Sequence, residues 1–129
     1  MPRVARLRSV VVDCPDPRAL ARFYAEIIGG RPDDQDPDWV LLPLGDGLQL
    51  AFQRSEGHTP PEWPRSDRNA QQFHLDLDAG STWDEVDQVE KRVLNLGARL
   101  LKREEGDEDF RVYADPAGHP FCLCVIPEG

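Results

Sequence analysis

Apolar residues recur along this chain in two periods, one typical of helices and one typical of strands. After Asp16-Pro17, which suits the start of a helix, five apolar side chains share one helical face: Leu20, Phe23, Tyr24, Ile27 and Ile28. Gly29-Gly30 then ends this first helix. A second helix follows the capping signature of Ser81-Thr82 with Asp84-Glu85 and ends at Gly97. It carries Val86, Val89, Val93 and Leu96 at helical spacing.

Short β-branched or alternating segments predict seven strands. They cover residues 7–13, 39–44, 48–53, 73–78, 98–103, 110–114 and 119–125. In three of these strands, alternation assigns the core face to Leu48, Leu50, Phe52, Phe73, Leu75, Leu77, Phe121, Leu123 and Val125. The opposite, polar face of the same strands carries Gln49, Ala51, Gln53, His74, Asp76, Asp78, Cys122 and Cys124.

The order strand, helix, strands occurs twice, which predicts a duplicated module. IGGR at 28–31 matches LGAR at 96–99, and Ser9 takes the place that His74 has in the second copy. We expect one domain over residues 1–129, with module one at 5–54, a linker at 55–70 and module two at 71–127. The fold class is α+β: two βαβββ modules form a curved half-barrel sheet with helices outside and a cleft on the concave side.

The linker is rich in proline and holds an isolated aromatic residue, Trp63. Loops of this length inside a compact domain are usually functional or disordered. Trp63 therefore has two interpretations: it covers a pocket, or it docks the linker on the surface. The acidic segment 104–109 predicts a solvated hairpin turn in preference to a cation site.

Composition narrows the possible partners. The chain has 129 residues, 40% hydrophobic and 30% charged, with a net charge of −9 at pH 7. This charge argues against nucleic acid and anionic membranes, and it is compatible with a neutral or cationic small molecule. The sequence shows no signal peptide and no membrane-spanning run. The odd cysteine count, Cys14, Cys122 and Cys124, favours a reducing cytoplasm.

Five segments together resemble the vicinal-oxygen-chelate superfamily, which contains glyoxalases, bleomycin-resistance proteins and extradiol dioxygenases. They are DCPDPRALARFY at 13–24, IGG at 28–30, FHLDL at 73–77, LGA at 96–98 and DPAGHPF at 115–121. The resemblance covers nearly the whole chain, and the chain looks most like small glyoxalase-like proteins. It implies the half-barrel fold and a homodimer, with swapping of the modules as one way to form it.

The resemblance also implies four inward-facing positions that hold a metal in the metal-dependent members. The family usually has His or Gln, Glu, His and Glu there; this chain has Ser9, Gln49, His74 and Cys122. Only His74 matches, and the set lacks the carboxylates that hard metals prefer. We therefore expect no conventional metal site and no cofactor. If a divalent metal does bind, the expected ligands are His74, Gln49 and Cys122.

The candidate ligand-binding residues are Ser9, Gln49, Gln53, Trp63, His74, Asp76 and Cys122. His74 is also the candidate catalytic residue, as a general base; the alternative is a histidine hydrogen-bonded to Gln49 or Gln53 without turnover. No base lies beside Cys122 in sequence, which argues against a nucleophile. His58 and His119 fall in the linker and at a turn, where surface or structural roles are expected.

Three functions follow from these observations. The first is a small-molecule-binding protein that sequesters a ligand or confers resistance. The second is a lyase, isomerase or dioxygenase that uses His74 with an altered or absent metal. The third is a structural or regulatory dimer, which the polar face of Gln49, Gln53, His74 and Asp76 disfavours because an inert core would be apolar.

Overall fold

The computed structural model describes residues 3–63 and 67–126. Within these ranges the elements are β1 (Ser9–Cys14), α1 (Pro17–Ile28), β2 (Trp39–Gly45), β3 (Leu48–Arg54), β4 (Leu75–Gly80), α2 (Trp83–Asn95), β5 (Arg99–Lys102), β6 (Phe110–Ala114) and β7 (Pro120–Val125). The chain divides into two compact units, Met1–His58 and Thr59–Gly129. The boundary between them falls inside the predicted linker 55–70. Neither helix is both long and apolar enough to cross a membrane.

The first unit is a three-stranded mixed sheet in the order β1-β3-β2, with β1 parallel and β2 antiparallel to β3. Asp16 caps α1, because its carboxylate accepts a hydrogen bond from the backbone N–H of Ala19 at 3.2 Å. Gly29 ends the helix with φ of 86°, a conformation that favours glycine. The helix covers one face of the sheet, where Tyr24 stacks on Phe52 with ring centroids 5.8 Å apart.

The second unit is a four-stranded mixed sheet in the order β4-β7-β6-β5, with β4 parallel to β7 and the other pairs antiparallel. Thr82 caps α2 by accepting a hydrogen bond from the N–H of Glu85, as the capping signature predicts. The α2 side of the sheet carries Tyr113, whose hydroxyl donates to Glu90 and whose ring stacks on Phe121. The neighbouring strand positions, including Val112 and Cys122, therefore point away from α2.

The α+β class, the two helices and the seven strands of the described residues agree with the sequence prediction. One module differs from it. The second unit is βαβββ, whereas the first has only three strands and is βαββ. A single bridge between Asp33 and Leu41 stands where the missing strand would pair with β2. The polar, proline-flanked segment at 33–38 offers no apolar alternation that could extend this pairing.

The prediction was also wrong for the start of the fourth strand. The structure begins β4 at Leu75, and Phe73, which was expected in the core, is 84% exposed. The register of β4 with β7 would place Phe73 opposite His119. Both the N–H and the carbonyl of His119 are already bonded to Asp115 in the preceding turn. The turn thus holds His119 at the point where the pairing of β4 with β7 begins.

Candidate functional site

A cavity of about 370 Å³ lies on the face of the second unit's sheet that α2 does not cover. We call it the second-unit cavity. Nine of the described residues line it: Trp63, Gln71, His74, Asp76, Asp109, Phe110, Val112, Cys122 and Cys124. Trp63 and Gln71 precede β4, and the others lie on or directly beside β4, β6 and β7.

Strand register brings these side chains together. Asp76 on β4 lies opposite Cys122 on β7, and Cys122 lies opposite Val112 on β6. Because side chains alternate between the faces of a strand, Phe110 and Cys124 share this face with them. The polar–apolar alternation that identifies the strands thus also assembles the cavity wall.

His74, Asp76 and Cys122 form a compact cluster in this wall. The Nε2 atom of His74 lies 3.2 Å from Oδ1 of Asp76, and one ligand-type atom from each of the three residues lies within 4.8 Å of the others. Burial, followed by the charge and hydrogen bond of Asp76, raises the pKa of the Cys122 thiol to about 12. Cys122 is therefore a protonated thiol at neutral pH, which argues against a nucleophilic role.

The same carboxylates affect the second thiol. Burial is the largest cause that raises the pKa of Cys124 to about 11, and the charges of Asp76, Asp109 and Asp78 add to it. At both thiols, nearby carboxylates therefore add to the effect of burial.

The cluster contains an imidazole nitrogen, a carboxylate oxygen and a sulfur. This set suits a zinc-class ion better than Mg²⁺ or Ca²⁺, which prefer oxygen ligands. It differs from the predicted set of His74, Gln49 and Cys122, because Asp76 is the residue that the second unit places beside His74 and Cys122. An ion held there by three protein ligands would keep a coordination position for water or a ligand.

The remaining lining residues supply aromatic surface and hydrogen-bond acceptors. Trp63 and Phe110 contribute the aromatic rings, and Asp109 contributes a second carboxylate. The side-chain oxygen of Gln71 is buried and has no hydrogen-bond partner in the described part of the chain. Among the described lining residues, none is Lys or Arg.

The predicted site residues separate into two groups. Trp63, His74, Asp76 and Cys122 meet in the second-unit cavity. Ser9, Gln49 and Gln53 belong to the first unit. There the Gln49 amide donates a hydrogen bond to the Ser9 hydroxyl at 2.7 Å, while Gln53 is exposed at a position paired with Asp13 and Trp39.

Five lining residues were not predicted as site residues: Gln71, Asp109, Phe110, Val112 and Cys124. Cys124 shares the predicted face of Cys122, and Phe110 and Val112 alternate within a predicted strand, so sequence signals existed for three of them. Asp109 was assigned to a solvated turn, yet it lines the cavity. Gln71 lies before β4 in a segment without periodicity, and no local pattern marks it.

Comparison with known proteins assigns the sequence to a family. The sequence matches the family described as Glyoxalase-like domain over residues 9–124. None of the curated proteins compared with the chain matches it.

Many solved structures share the fold. A glyoxalase/bleomycin resistance protein/dioxygenase family enzyme from Burkholderia phytofirmans is 21% identical, with 95% of this chain and 100% of that chain covered and a TM-score of 0.71. A glyoxalase-related enzyme from Fulvimarina pelagi is 20% identical, with 98% and 94% covered and a TM-score of 0.70. A mutant of the fosfomycin resistance protein from Listeria monocytogenes, solved with Mn(II) and a dihydroxypropylphosphonic acid, is 15% identical, with 97% and 93% covered and a TM-score of 0.65. Together with the sequence match over residues 9–124, the fold establishes that the chain belongs to the glyoxalase-like domain family.

Proposed function

We propose that this protein binds a small molecule in the second-unit cavity and acts by sequestering it, as a binding or resistance protein. The observation that carries the proposal is the cavity itself, about 370 Å³ with two aromatic side chains and a few convergent polar groups. Its size and lining are typical of small-molecule sites, which bury most of a ligand against apolar walls and orient it by a small number of polar contacts.

Two features favour binding over conventional metal catalysis. At two of the four family metal positions, Ser9 and Gln49 bond to each other and supply only neutral groups. At a third, Cys122 supplies a thiol where the family usually has the carboxylate of glutamate. The lining of the second-unit cavity can hold and orient a ligand without activating it.

Thermal unfolding in the presence of neutral and cationic small molecules tests the proposal. A ligand at 100 times its dissociation constant should stabilise the protein by about 2.7 kcal/mol. Trp63→Ala should weaken binding of that ligand at least tenfold, because the indole forms part of the cavity wall, and should leave the unliganded melting temperature nearly unchanged. Trp39→Ala, a change of a partly exposed tryptophan in the first unit, should leave affinity unchanged. Failure of every compound to protect the protein, or equal binding by Trp63→Ala, would overturn the proposal.

The cluster of His74, Asp76 and Cys122 favours a second candidate function. In it, the protein is a lyase, isomerase or dioxygenase of the glyoxalase-like group with an altered metal site. The three residues would hold a zinc-class ion, which supplies Lewis-acid polarisation of a substrate oxygen. His74 would then be fixed as a ligand and would be unable to serve as a general base.

Titration of the chelator-treated protein with Co(II) tests this candidate without an activity assay. A Co(II) ion bound by Cys122 gives a thiolate charge-transfer absorption, and Cys122→Ser should abolish it. Cys124→Ser is the matched control, because Cys124 lines the same cavity but lies outside the cluster, and it should retain the absorption. A spectrum without this absorption in the unmodified protein, or its persistence in Cys122→Ser, rejects the altered metal site.

A further inference from the structure

Among the described lining residues of the second-unit cavity, the polar groups are mostly acceptors or anions. Asp76 and Asp109 contribute carboxylates, and Gln71 contributes a side-chain oxygen. The nearby ammonium of Lys102 is outside the lining; it is paired with Glu108 and lies 5.3 Å from the ring centroid of Phe110. Among the described lining residues, His74 carries an imidazole, and its Nε2 atom already faces Asp76 at 3.2 Å.

The side-chain oxygen of Gln71 favours ligands that place a hydrogen-bond donor at one position in the cavity. It is buried without a hydrogen-bond partner among the described residues, and an unsatisfied buried acceptor carries a free-energy penalty. A ligand that places an N–H or O–H donor against this oxygen removes that penalty. A ligand without such a donor leaves the penalty in place, so Gln71 discriminates between them.

The aromatic side chains of the cavity wall favour a positively charged ligand. The face of a tryptophan or phenylalanine ring attracts cations, and more strongly where the cation is desolvated. Trp63 and Phe110 both line the cavity, and Phe110 already lies beneath one ammonium group, that of Lys102. The carboxylates of Asp76 and Asp109 in the same lining also favour a cationic ligand.

We propose that the second-unit cavity selects a flat organic cation bearing N–H donors, such as an amidinium or an aromatic ammonium compound. In this arrangement Gln71 accepts a ligand N–H, Asp76 and Asp109 balance the ligand charge, and Trp63 contributes a ring face. This inference rests on the proposed function, namely that the cavity binds a small molecule, and it adds the chemical class of that molecule.

Benzamidine, benzamide and benzoate form a matched probe set, because they share a ring and differ in charge and in donors. Calorimetric titration of the chelator-treated protein should give an affinity for benzamidine at least tenfold higher than for benzamide, and no measurable binding of benzoate. Gln71→Leu and Asp109→Asn should each weaken benzamidine binding about fivefold or more. Gln72→Leu and Asp107→Asn, at exposed positions outside the lining, should leave it unchanged.

The outcomes separate the two proposals. If benzoate or a neutral compound binds as tightly as benzamidine, or if only uncharged compounds from the thermal screen bind, the cation class is wrong and the small-molecule site stands. If Gln71→Leu binds benzamidine with unchanged affinity, the role of Gln71 is wrong. If no compound of any charge binds, both the class and the proposed function are overturned.

Discussion

Arg111 is a buried charged residue of the second unit. It is a charged side chain on the α2 side of the sheet with only 6% of its surface exposed. Its guanidinium bonds Glu104 at 2.5 Å and Asp87 at 2.9 Å, and it lies 4.7 Å from the ring centroid of Trp83. The planar fork of arginine can meet two carboxylates and a ring at once, which the single ammonium of lysine cannot do.

Removal of the Arg111 guanidinium should lower the free energy of unfolding. Arg111→Met leaves several carboxylates around a buried position without a counter-charge, and the expected loss is about 3–5 kcal/mol in the free energy of unfolding. Arg111→Lys should lose less, because it keeps the charge but not the bidentate geometry. Urea unfolding followed by tryptophan fluorescence measures both, with Arg103→Met, an exposed arginine 3.6 Å from Glu90, as the control that should change stability by less than 1 kcal/mol. A loss below 1 kcal/mol in Arg111→Met would contradict this account.

At the scale of elements, the sequence predicted what depends on local chemistry. Both helices begin at the predicted caps, Asp16 and Thr82, because a capping side chain satisfies backbone N–H groups only a few residues away. β6 matches its predicted range because its alternation is uninterrupted. The missing strand of the first unit agrees with the local sequence, because the polar segment at 33–38 lacks apolar alternation. The late start of β4 was not predictable in this way, since it depends on the end of its pairing with β7, a strand distant in sequence.

The sequence likewise predicted only part of the candidate site. His74, Asp76 and Cys122 were assigned to one face by alternation, and the parallel register of β4 and β7 then placed two of them side by side. Gln71 and Asp109 reach the cavity from segments without periodicity, so only the three-dimensional path of the chain reveals them. Glu90 was also unpredicted as a buried charge, although a glutamate between Val86 and Val93 on the apolar face of α2 is a detectable signal.

At the scale of the whole molecule, two electrostatic effects respond to acid in opposite directions. The net charge of −9 at pH 7 causes repulsion that weakens as the pH falls. Against this, hydrogen bonding by Arg111 holds the pKa of Glu104 below its usual value of 4.5, and hydrogen bonding by Lys102 lowers that of Glu108. A carboxylate whose pKa is lower in the folded state stabilises the fold above the unfolded-state value, and that stability is lost as the pH falls through the folded-state value.

The two effects predict a stability profile that changes little from pH 7 to about pH 5 and falls below about pH 4.5. Glu104→Gln should cost about 1–2 kcal/mol at pH 7, because it replaces a charge-assisted bond to Arg111 by a neutral one. The difference between this variant and the unmodified protein should shrink as the pH falls from 4.5 through the lowered folded-state pKa of Glu104, since acid neutralises this carboxylate first in the unfolded state and then in the folded state. Urea unfolding at a series of pH values measures this, with Glu105→Gln in the same turn as the control. A difference that stays constant from pH 7 to pH 3 would show that Glu104 acts through packing alone.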